Sequence, residues 1–220
     1  MARVRIYTKT GDDGTTGLLY GGRVAKDAPP MEINGAVDEA QASMGVARAE
    51  APPGSELDGL LVDLERDLYV LMAEVATDPA NRAKLVPGTT LVTDEMVTAL
   101  EVRIDALIDR FDMPSEFVIP GADRVSAALD LARTVVRRAE RLTVSHPVEG
   151  SAVGRYLNRL SDLLWAMARW TEGEGHLLAR TVRTAPDRAG QTRREETGPD
   201  PDGVAVAGED PGTDGPGGRR

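Results

Sequence analysis

Three arginines recur at helical spacing in the second half of this 220-residue chain. Arg133, Arg137 and Arg141 stand four residues apart, so one helix face would carry three guanidinium groups. A guanidinium binds phosphate oxygens through paired hydrogen bonds, which suits a row of them to a triphosphate. Glu140 lies three residues after Arg137 and can orient it. The alternative is a solvated face whose charges pair with one another, as most charge runs do.

A second candidate is the segment of residues 7–17, which reads YTKTGDDGTTG. Its glycines let successive backbone N–H groups converge on an anion, as in other anion-binding turns. Lys9 and the nearby Lys26 add positive charge, and the threonine hydroxyls add donors. No Gly-Lys-Ser/Thr opens a following helix, so this is not a Walker A loop. The segment is typical of a phosphate cradle, with a flexible surface loop as the alternative.

Three further positions carry weaker signals. Asn158 and Asp162 share a helix face four residues apart, where an amide can read a nucleotide or brace a neighbour. Asp38 and Glu39 fall early in a helix, where acids ordinarily compensate the helix dipole. Asp38 can also pair with an arginine of another helix or subunit. Phe117 precedes a Pro-Gly turn, and its simplest role is that of a core anchor.

The composition excludes several kinds of chemistry. The chain has no cysteine and two histidines, which excludes thiolate metal sites, disulfides and a cysteine nucleophile. Neither His146 nor His176 has a glutamate three residues before it, so the pairs of a di-iron bundle are absent. The net charge of −10 argues against a general nucleic-acid binder. No signal peptide and no membrane-spanning apolar run is visible, so we expect a cytoplasmic protein without membrane partners.

Five helical patterns of apolar residues must position these side chains. We predict helices over residues 34–50, 55–76, 93–111, 123–144 and 151–178, the first capped by Asn34 and the third by Thr93. No strand alternation is convincing after residue 34. The fold class is therefore all-α, and the short links favour a five-helix antiparallel bundle.

Two segments flank the predicted helices. Residues 1–30 precede them mainly as a loop that contains the candidate phosphate cradle, within a bundle domain of residues 1–182. Residues 183–220 contain eight glycines and five prolines, and their only large apolar residues are Val204 and Val206. Such a segment buries too little apolar surface to offset its ordering entropy, so we expect a disordered tail.

Taken together, these segments resemble the ATP:cob(I)alamin adenosyltransferases of the propanediol-utilisation type. Each matching block is weak alone, and their common order across residues 3–172 makes the resemblance specific. The blocks are YTKTGD (7–12) with Gly14, Gly22-Arg23 with Lys26, GAVDE (35–39), FVIPG (117–121), ARTVVRRAER (132–141) and YLNRLSD (156–162).

The resemblance implies a homotrimer of five-helix bundles with active sites between subunits. It implies transfer of the 5′-deoxyadenosyl group of ATP to cob(I)alamin, a form of vitamin B12, giving adenosylcobalamin and triphosphate. Mg²⁺ would be carried by ATP and not by protein side chains. A reductase would supply electrons, and an adenosylcobalamin-dependent enzyme would accept the product. The alternative is a bundle that binds and delivers ATP or adenosylcobalamin without catalysis.

The same resemblance implies a role for each candidate residue. Phe117 would lie below the corrin of cobalamin and displace the lower axial ligand, and Asp38 would pair with Arg133 across the subunit interface. The implied catalytic set is Arg137, Phe117, Asp38 and Arg133. The implied ATP-binding set is Thr8, Lys9, Thr10, Gly11, Thr16, Lys26, Arg137, Arg138, Glu140, Arg141 and Asn158.

Overall fold

Five helices dominate the computed structural model, which describes residues 6–180. They are α1 (Pro29–Glu50), α2 (Glu56–Val75), α3 (Asp94–Ile108), α4 (Arg124–Ser145) and α5 (Val153–Glu172). The predicted all-α bundle is confirmed. α1 packs against α2 and α4, and α5 packs against α3 and α4. The predicted tail of residues 183–220 lies outside the described residues.

The core is made of aliphatic side chains that the helices present inward at three- and four-residue spacing. α2 contributes a column of fully buried leucines, and α5 contributes a second one. The most buried of these residues are Leu61, Leu64, Leu68, Leu71, Leu157, Leu160, Leu163 and Leu164. No helix within residues 6–180 combines the length and the apolar character needed to cross a bilayer.

Three of the five helices begin at a side-chain cap. Ser55, Thr93 and Asp123 accept backbone N–H groups at the starts of α2, α3 and α4. The prediction of Asn34 as a cap is wrong, because α1 already begins at Pro29, where the fixed φ and missing N–H of proline suit a first turn. Asn34 lies inside α1 and donates its amide to a carbonyl of α2.

Two short β-pairs flank the bundle without a sequence signal for either. β1 (Thr15–Gly17) and β2 (Arg23–Ala25) form an antiparallel hairpin in the segment expected to be loop. β3 (Val118–Ile119) pairs antiparallel with β4 (Leu177–Leu178). The expected continuation of the last helix to residue 178 is wrong, because Gly173 takes a positive φ of 55° that ends α5.

Candidate substrate site

The glycine-rich segment forms a turn that hydrogen bonds fix against β2. Arg23 donates to the Thr10 carbonyl at 2.6 Å and to the Thr15 hydroxyl at 2.9 Å. The Asp13 carboxylate accepts the Thr15 hydroxyl at 2.8 Å and its backbone N–H at 2.9 Å. These two donors hold the pKa of Asp13 below its ordinary value. The segment therefore has a defined shape. This shape is maintained by Arg23 and Asp13, for which the sequence predicted no role.

Lys26 directly follows the hairpin, and the end of its side chain packs against Gly11. A Cβ atom at position 11 would lie 2.9 Å from the Thr15 carbonyl oxygen and 3.1 Å from Lys26 Cε, so only glycine fits there. Among residues 6–180 the Lys26 ammonium has no hydrogen-bond or ion-pair partner. The turn therefore presents an exposed, unpaired cation beside the predicted phosphate cradle.

The other predicted loop residues lie in the same turn. The Thr8 and Thr10 hydroxyls are 2.8 Å apart and share a hydrogen bond. Lys9 has a left-handed φ of 62°, and its ammonium stands 5.8 Å from the centre of the Tyr7 ring. Thr16 lies in β1. Five of the predicted ATP-binding residues and Lys26 thus occupy one exposed structure.

The hairpin is attached to the bundle at the end of α2. The Leu19 N–H donates to the Ala76 carbonyl at 2.8 Å, and the Tyr20 hydroxyl lies 3.4 Å from that of Thr90. Since Ala76 is the C-terminal cap of α2, the hairpin is fixed at this end of the helix.

The arginine row on α4 divides into different environments. Arg137 is exposed, and within the described chain its guanidinium makes no hydrogen bond or ion pair. Arg141 donates to the Arg137 carbonyl at 3.2 Å. Arg138 pairs with Glu39 of α1 in the same chain. The row therefore offers one free guanidinium, at Arg137.

Beside this free guanidinium, Glu140 and Asn158 connect α4 to α5. Asn158 donates its amide to the Glu140 carboxylate at 2.8 Å, and its amide oxygen accepts from Arg159. Glu140 makes no ion pair with Arg137 among the described residues, and the expectation that it orients Arg137 stays a prediction. Burial raises the pKa of Asp162, while the positive charges of Arg159 and Arg137 oppose that shift.

A cleft of about 690 Å³ opens where the segment of residues 113–120 meets α4 and α5. Phe117 lines it and is 88% exposed, so the simple role of a core anchor is wrong. Arg133, Arg169 and Trp165 also line the cleft. An exposed aromatic ring in a concave, arginine-rich cleft favours a large ligand with an apolar face.

Arg133 is held in this cleft on one side only. Its Nε donates to Asp130 at 3.1 Å, and its two terminal nitrogens have no partner among residues 6–180. The predicted partner, Asp38, is exposed on α1 and makes no ion pair in the described chain. Pairing of Asp38 with Arg133 across a subunit interface therefore stays a prediction.

The buried partner of Arg133, Asp130, and the second arginine that Asp130 binds were not predicted from the sequence. Asp130 lies one helical turn before Arg133, a spacing that could have indicated the pair. Arg169 occupies a buried position of α5 and contacts Asp130 at 2.7 Å. No sequence pattern relates these two residues, because their contact depends on how α4 packs against α5.

The hairpin surface and the α4–α5 surface do not bond to each other within one chain. Over residues 6–180 no hydrogen bond or ion pair joins the turn of residues 8–26 to Arg137, Glu140 or Asn158. The same residues contain no group of three or more His, Cys, Asp or Glu side chains able to hold a metal ion.

Comparison with known proteins identifies the family of this chain. The family model described as cobalamin adenosyltransferase matches residues 6–171. The chain belongs to this family. A corrinoid adenosyltransferase of Mycobacterium bovis is 39% identical over 182 residues, which cover 80% of this chain and 93% of the relative. The corrinoid adenosyltransferase PduO of Salmonella typhimurium is 36% identical over 174 residues, 78% of this chain and 51% of that longer protein.

Solved structures agree with this assignment. A phenylalanine-to-histidine variant of the PduO-type ATP:corrinoid adenosyltransferase from Lactobacillus reuteri, complexed with cobalamin and ATP, has a TM-score of 0.71 at 28% identity. It matches 80% of this chain and 97% of that one. An arginine-to-lysine variant complexed with ATP has a TM-score of 0.66 at 27% identity, and the match covers 76% of this chain and 93% of that one.

Proposed function

We propose that this chain transfers the 5′-deoxyadenosyl group of ATP to cob(I)alamin, releasing adenosylcobalamin and triphosphate. Membership of the family supports adenosyl transfer from ATP to cobalamin, and the Lactobacillus reuteri neighbour is described in complex with both substrates. The exposed Phe117 in an arginine-lined cleft carries the assignment of the corrin site.

The reaction needs no nucleophilic side chain. The Co(I) electron pair forms a bond to C5′ of ATP, and the C5′–O bond breaks with its electron pair leaving on triphosphate. The substrate supplies the nucleophile, and the protein supplies binding, orientation and electrostatics. This division of labour agrees with a chain that has no cysteine.

Phe117 prepares the cobalt for reduction in this proposal. Its ring lies below the corrin and excludes both water and the lower axial base, which leaves a four-coordinate Co(II). Loss of the axial ligand makes Co(II) easier to reduce to the attacking Co(I). A reductase supplies that electron, and the 88% exposure of the Phe117 ring leaves it available for contact with the corrin.

Unpaired cations stabilise the leaving triphosphate. Arg137 and Lys26 carry charges that the described residues leave unpaired, so they can interact fully with phosphate oxygens. Thr8, Lys9, Thr10, Gly11 and Thr16 wrap the nucleotide, Arg138 and Arg141 flank it, and Glu140 presents the Asn158 amide. Mg²⁺ enters with ATP on the phosphate oxygens, where it neutralises part of their charge.

The complete site forms between two copies of the chain in a homotrimer. One copy supplies the hairpin with Lys26, and its neighbour supplies Arg137 and Asn158. The lack of polar bonds between these surfaces within residues 6–180 supports this division. Asp38 of one copy pairs with the two free nitrogens of Arg133 in the next. The cytoplasmic location and delivery to an adenosylcobalamin-dependent enzyme follow from the family resemblance.

An anaerobic assay tests the function directly. The full chain is incubated with ATP, Mg²⁺ and chemically reduced cobalamin, and we expect a light-sensitive Co–C product and an equal amount of triphosphate. A folded protein that binds both substrates and yields neither product is a delivery bundle without catalysis, and the proposal is then wrong.

A further inference from the structure

A buried ionic network lies beneath the cleft that contains Phe117. Its centre is Arg169 of α5, which is 1% exposed. Its Nη2 donates to Asp130 at 2.7 Å, and its Nε and Nη2 donate to the two oxygens of Glu172 at 2.7 Å and 2.9 Å. The Trp165 ring centre lies 5.6 Å from the guanidinium carbon. Two carboxylates and one aromatic ring therefore fix the orientation of Arg169.

Asp130 connects this buried centre to the site. It is 3% exposed and uses one carboxylate oxygen for Arg169 and the other for Arg133 Nε. Because Asp130 lies one turn before Arg133 on α4, it holds the inner edge of the guanidinium. The outer edge of Arg133, with two unpaired terminal nitrogens, stays available in the cleft.

The other end of the network fixes the segment that carries Phe117. Glu172 is the last residue of α5, and Gly173 ends the helix. The chain then forms β4, which pairs with β3, and the Ala179 N–H donates to the Phe117 carbonyl at 2.7 Å. Fixing Glu172 on Arg169 therefore fixes the helix end from which this supporting strand starts.

Stability alone does not explain such an arrangement. The charges of its two arginines and two carboxylates sum to zero, but burying ions costs hydration free energy. Proteins in which apolar residues of similar volume replace such a network are often equally stable. A charged network has a geometric advantage, because directional bonds hold a guanidinium in one orientation.

We propose that Asp130, Arg169 and Glu172 are positioning residues that hold the Arg133 guanidinium and Phe117 in fixed relation for the cobalt-facing part of the reaction. This inference rests on the proposed function. It predicts that disturbing the network impairs the handling of cobalt while leaving the binding of ATP unchanged.

The test compares two buried carboxylates in the full-length chain. Asp130→Asn removes the charge that orients both arginines. We expect less four-coordinate cob(II)alamin in the electron paramagnetic resonance spectrum with ATP bound. We also expect kcat from cob(II)alamin to fall by about tenfold to a hundredfold, as for a small misplacement in an active site. The KM for ATP stays within about twofold, because the network does not touch the nucleotide residues.

Glu74→Gln is the matched control. Glu74 is 4% exposed and binds Arg82 and Ser151 near the opposite end of α5. We expect this variant to lose stability and to keep the wild-type cob(II)alamin spectrum. Arg169→Lys, which keeps the charge and loses the planar fork, should lie between Asp130→Asn and wild type.

Each outcome decides between the alternatives. A folded Asp130→Asn variant with the wild-type spectrum and kcat, or an equal spectral loss in Glu74→Gln, overturns the positioning role. If Asp130→Asn does not fold, Arg169→Lys and Glu172→Gln carry the same test. If none of the three folds, the network serves stability alone and the inference is wrong. Failure of the wild-type chain to adenosylate preformed cob(I)alamin would instead contradict the proposed function.

Discussion

The two ends of α5 each bury a carboxylate against an arginine, but they use these groups differently. Near the N-terminal end, the Glu74 carboxylate accepts from Arg82 at 3.0 Å, from Ser151 at 2.7 Å and from the Val92 N–H at 2.7 Å. Arg82 also donates to the Gly150 carbonyl. This cluster joins four parts of the chain and keeps both carboxylate oxygens occupied.

Near the C-terminal end, the corresponding cluster leaves donors unused. Asp130 pairs with Arg169 and Arg133, yet two nitrogens of Arg133 have no partner within the described residues, and Phe117 lies exposed beside them. Both ends of α5 therefore bury an ion pair, so burial of a pair does not distinguish the proposed site from the rest of the bundle. Unpaired donors and an exposed ring within one cleft are the informative features.

The largest expected effect separates activity from stability at Arg137. Arg137→Ala should raise the activation barrier by about 2–4 kcal/mol, because a charge that stabilises the leaving triphosphate is lost. The thermal unfolding midpoint should not change, since the side chain is exposed and unpaired in the described chain. Steady-state kinetics and calorimetry measure the two effects, and Arg137→Lys serves as the control that keeps the charge. An unchanged kcat/KM would remove Arg137 from the site.

The cluster around Glu74 should show the opposite behaviour. Glu74→Gln should lower the free energy of unfolding by about 1–3 kcal/mol, because an amide cannot accept from all three donors and leaves some of them unpaired. Activity per folded molecule should stay at the wild-type level. Urea unfolding measures the loss, and Asp63→Asn, which breaks an exposed pair with Arg103, should change it by less than about 1 kcal/mol. A Glu74→Gln variant that is stable and inactive would reverse the comparison.

Phe117 should behave as a ligand contact and not as core. Phe117→Ala should slow adenosylation by about tenfold, equivalent to 1.4 kcal/mol, when cob(II)alamin must be reduced on the protein. Preformed cob(I)alamin should restore most of the rate. Stability should change little, in contrast with Phe111→Ala, since Phe111 packs edge-on against Trp165 at 6.3 Å. An equal loss with both cobalamin oxidation states would contradict the role of Phe117 as an axial-ligand excluder.

A partly buried hydrogen bond between α5 and α2 provides the smallest effect. The buried Tyr156 donates its hydroxyl to Asp67 at 2.8 Å, while burial raises the pKa of Asp67 and this hydrogen bond opposes the rise. Tyr156→Phe should therefore raise that pKa further and cost about 1 kcal/mol of stability at neutral pH.

The cost of Tyr156→Phe should vanish as the pH falls below the pKa of Asp67 in the folded wild type. The carboxyl is then protonated in both proteins, and the lost bond no longer stabilises a charge. Urea unfolding at neutral and acidic pH tests this dependence. A loss of stability that does not vary with pH would contradict it.

Periodic features could be predicted from the sequence, and contacts between elements could not. The leucines of α2 recur at three- and four-residue spacing, and Thr93 stands directly before an acidic first turn, so these helices were predictable within a few residues. The strands are two or three residues long and contain no period to detect. The end of α5 at Gly173 depended on its positive φ, which composition alone does not reveal.

The candidate site shows the same division. The spacing of Arg133, Arg137 and Arg141 placed three guanidiniums on one helix, as the structure has them. Their different environments depend on packing, because Asp130, itself held by Arg169, binds Arg133 while Arg137 is left exposed. The exposure of Phe117 could not be predicted from its residue type, since an isolated phenylalanine is usually a core residue, and only the family resemblance implied a position facing a ligand.

The proposed site is assembled from two copies of the chain, and subunit mixing tests this arrangement directly. Lys26→Ala and Arg137→Ala chains are each expected to be inactive as pure proteins. Equal amounts of the two variants are unfolded and refolded together. The hairpin and the α4 helix of each site then come from either variant with equal probability. About one quarter of the sites then combine an intact Lys26 with an intact Arg137, because a heterologous interface takes different surfaces from each neighbour. We predict recovery of about one quarter of the wild-type activity, against a control of wild-type chains refolded alone. Mixed samples with no more activity than the separate variants would contradict a site shared between subunits.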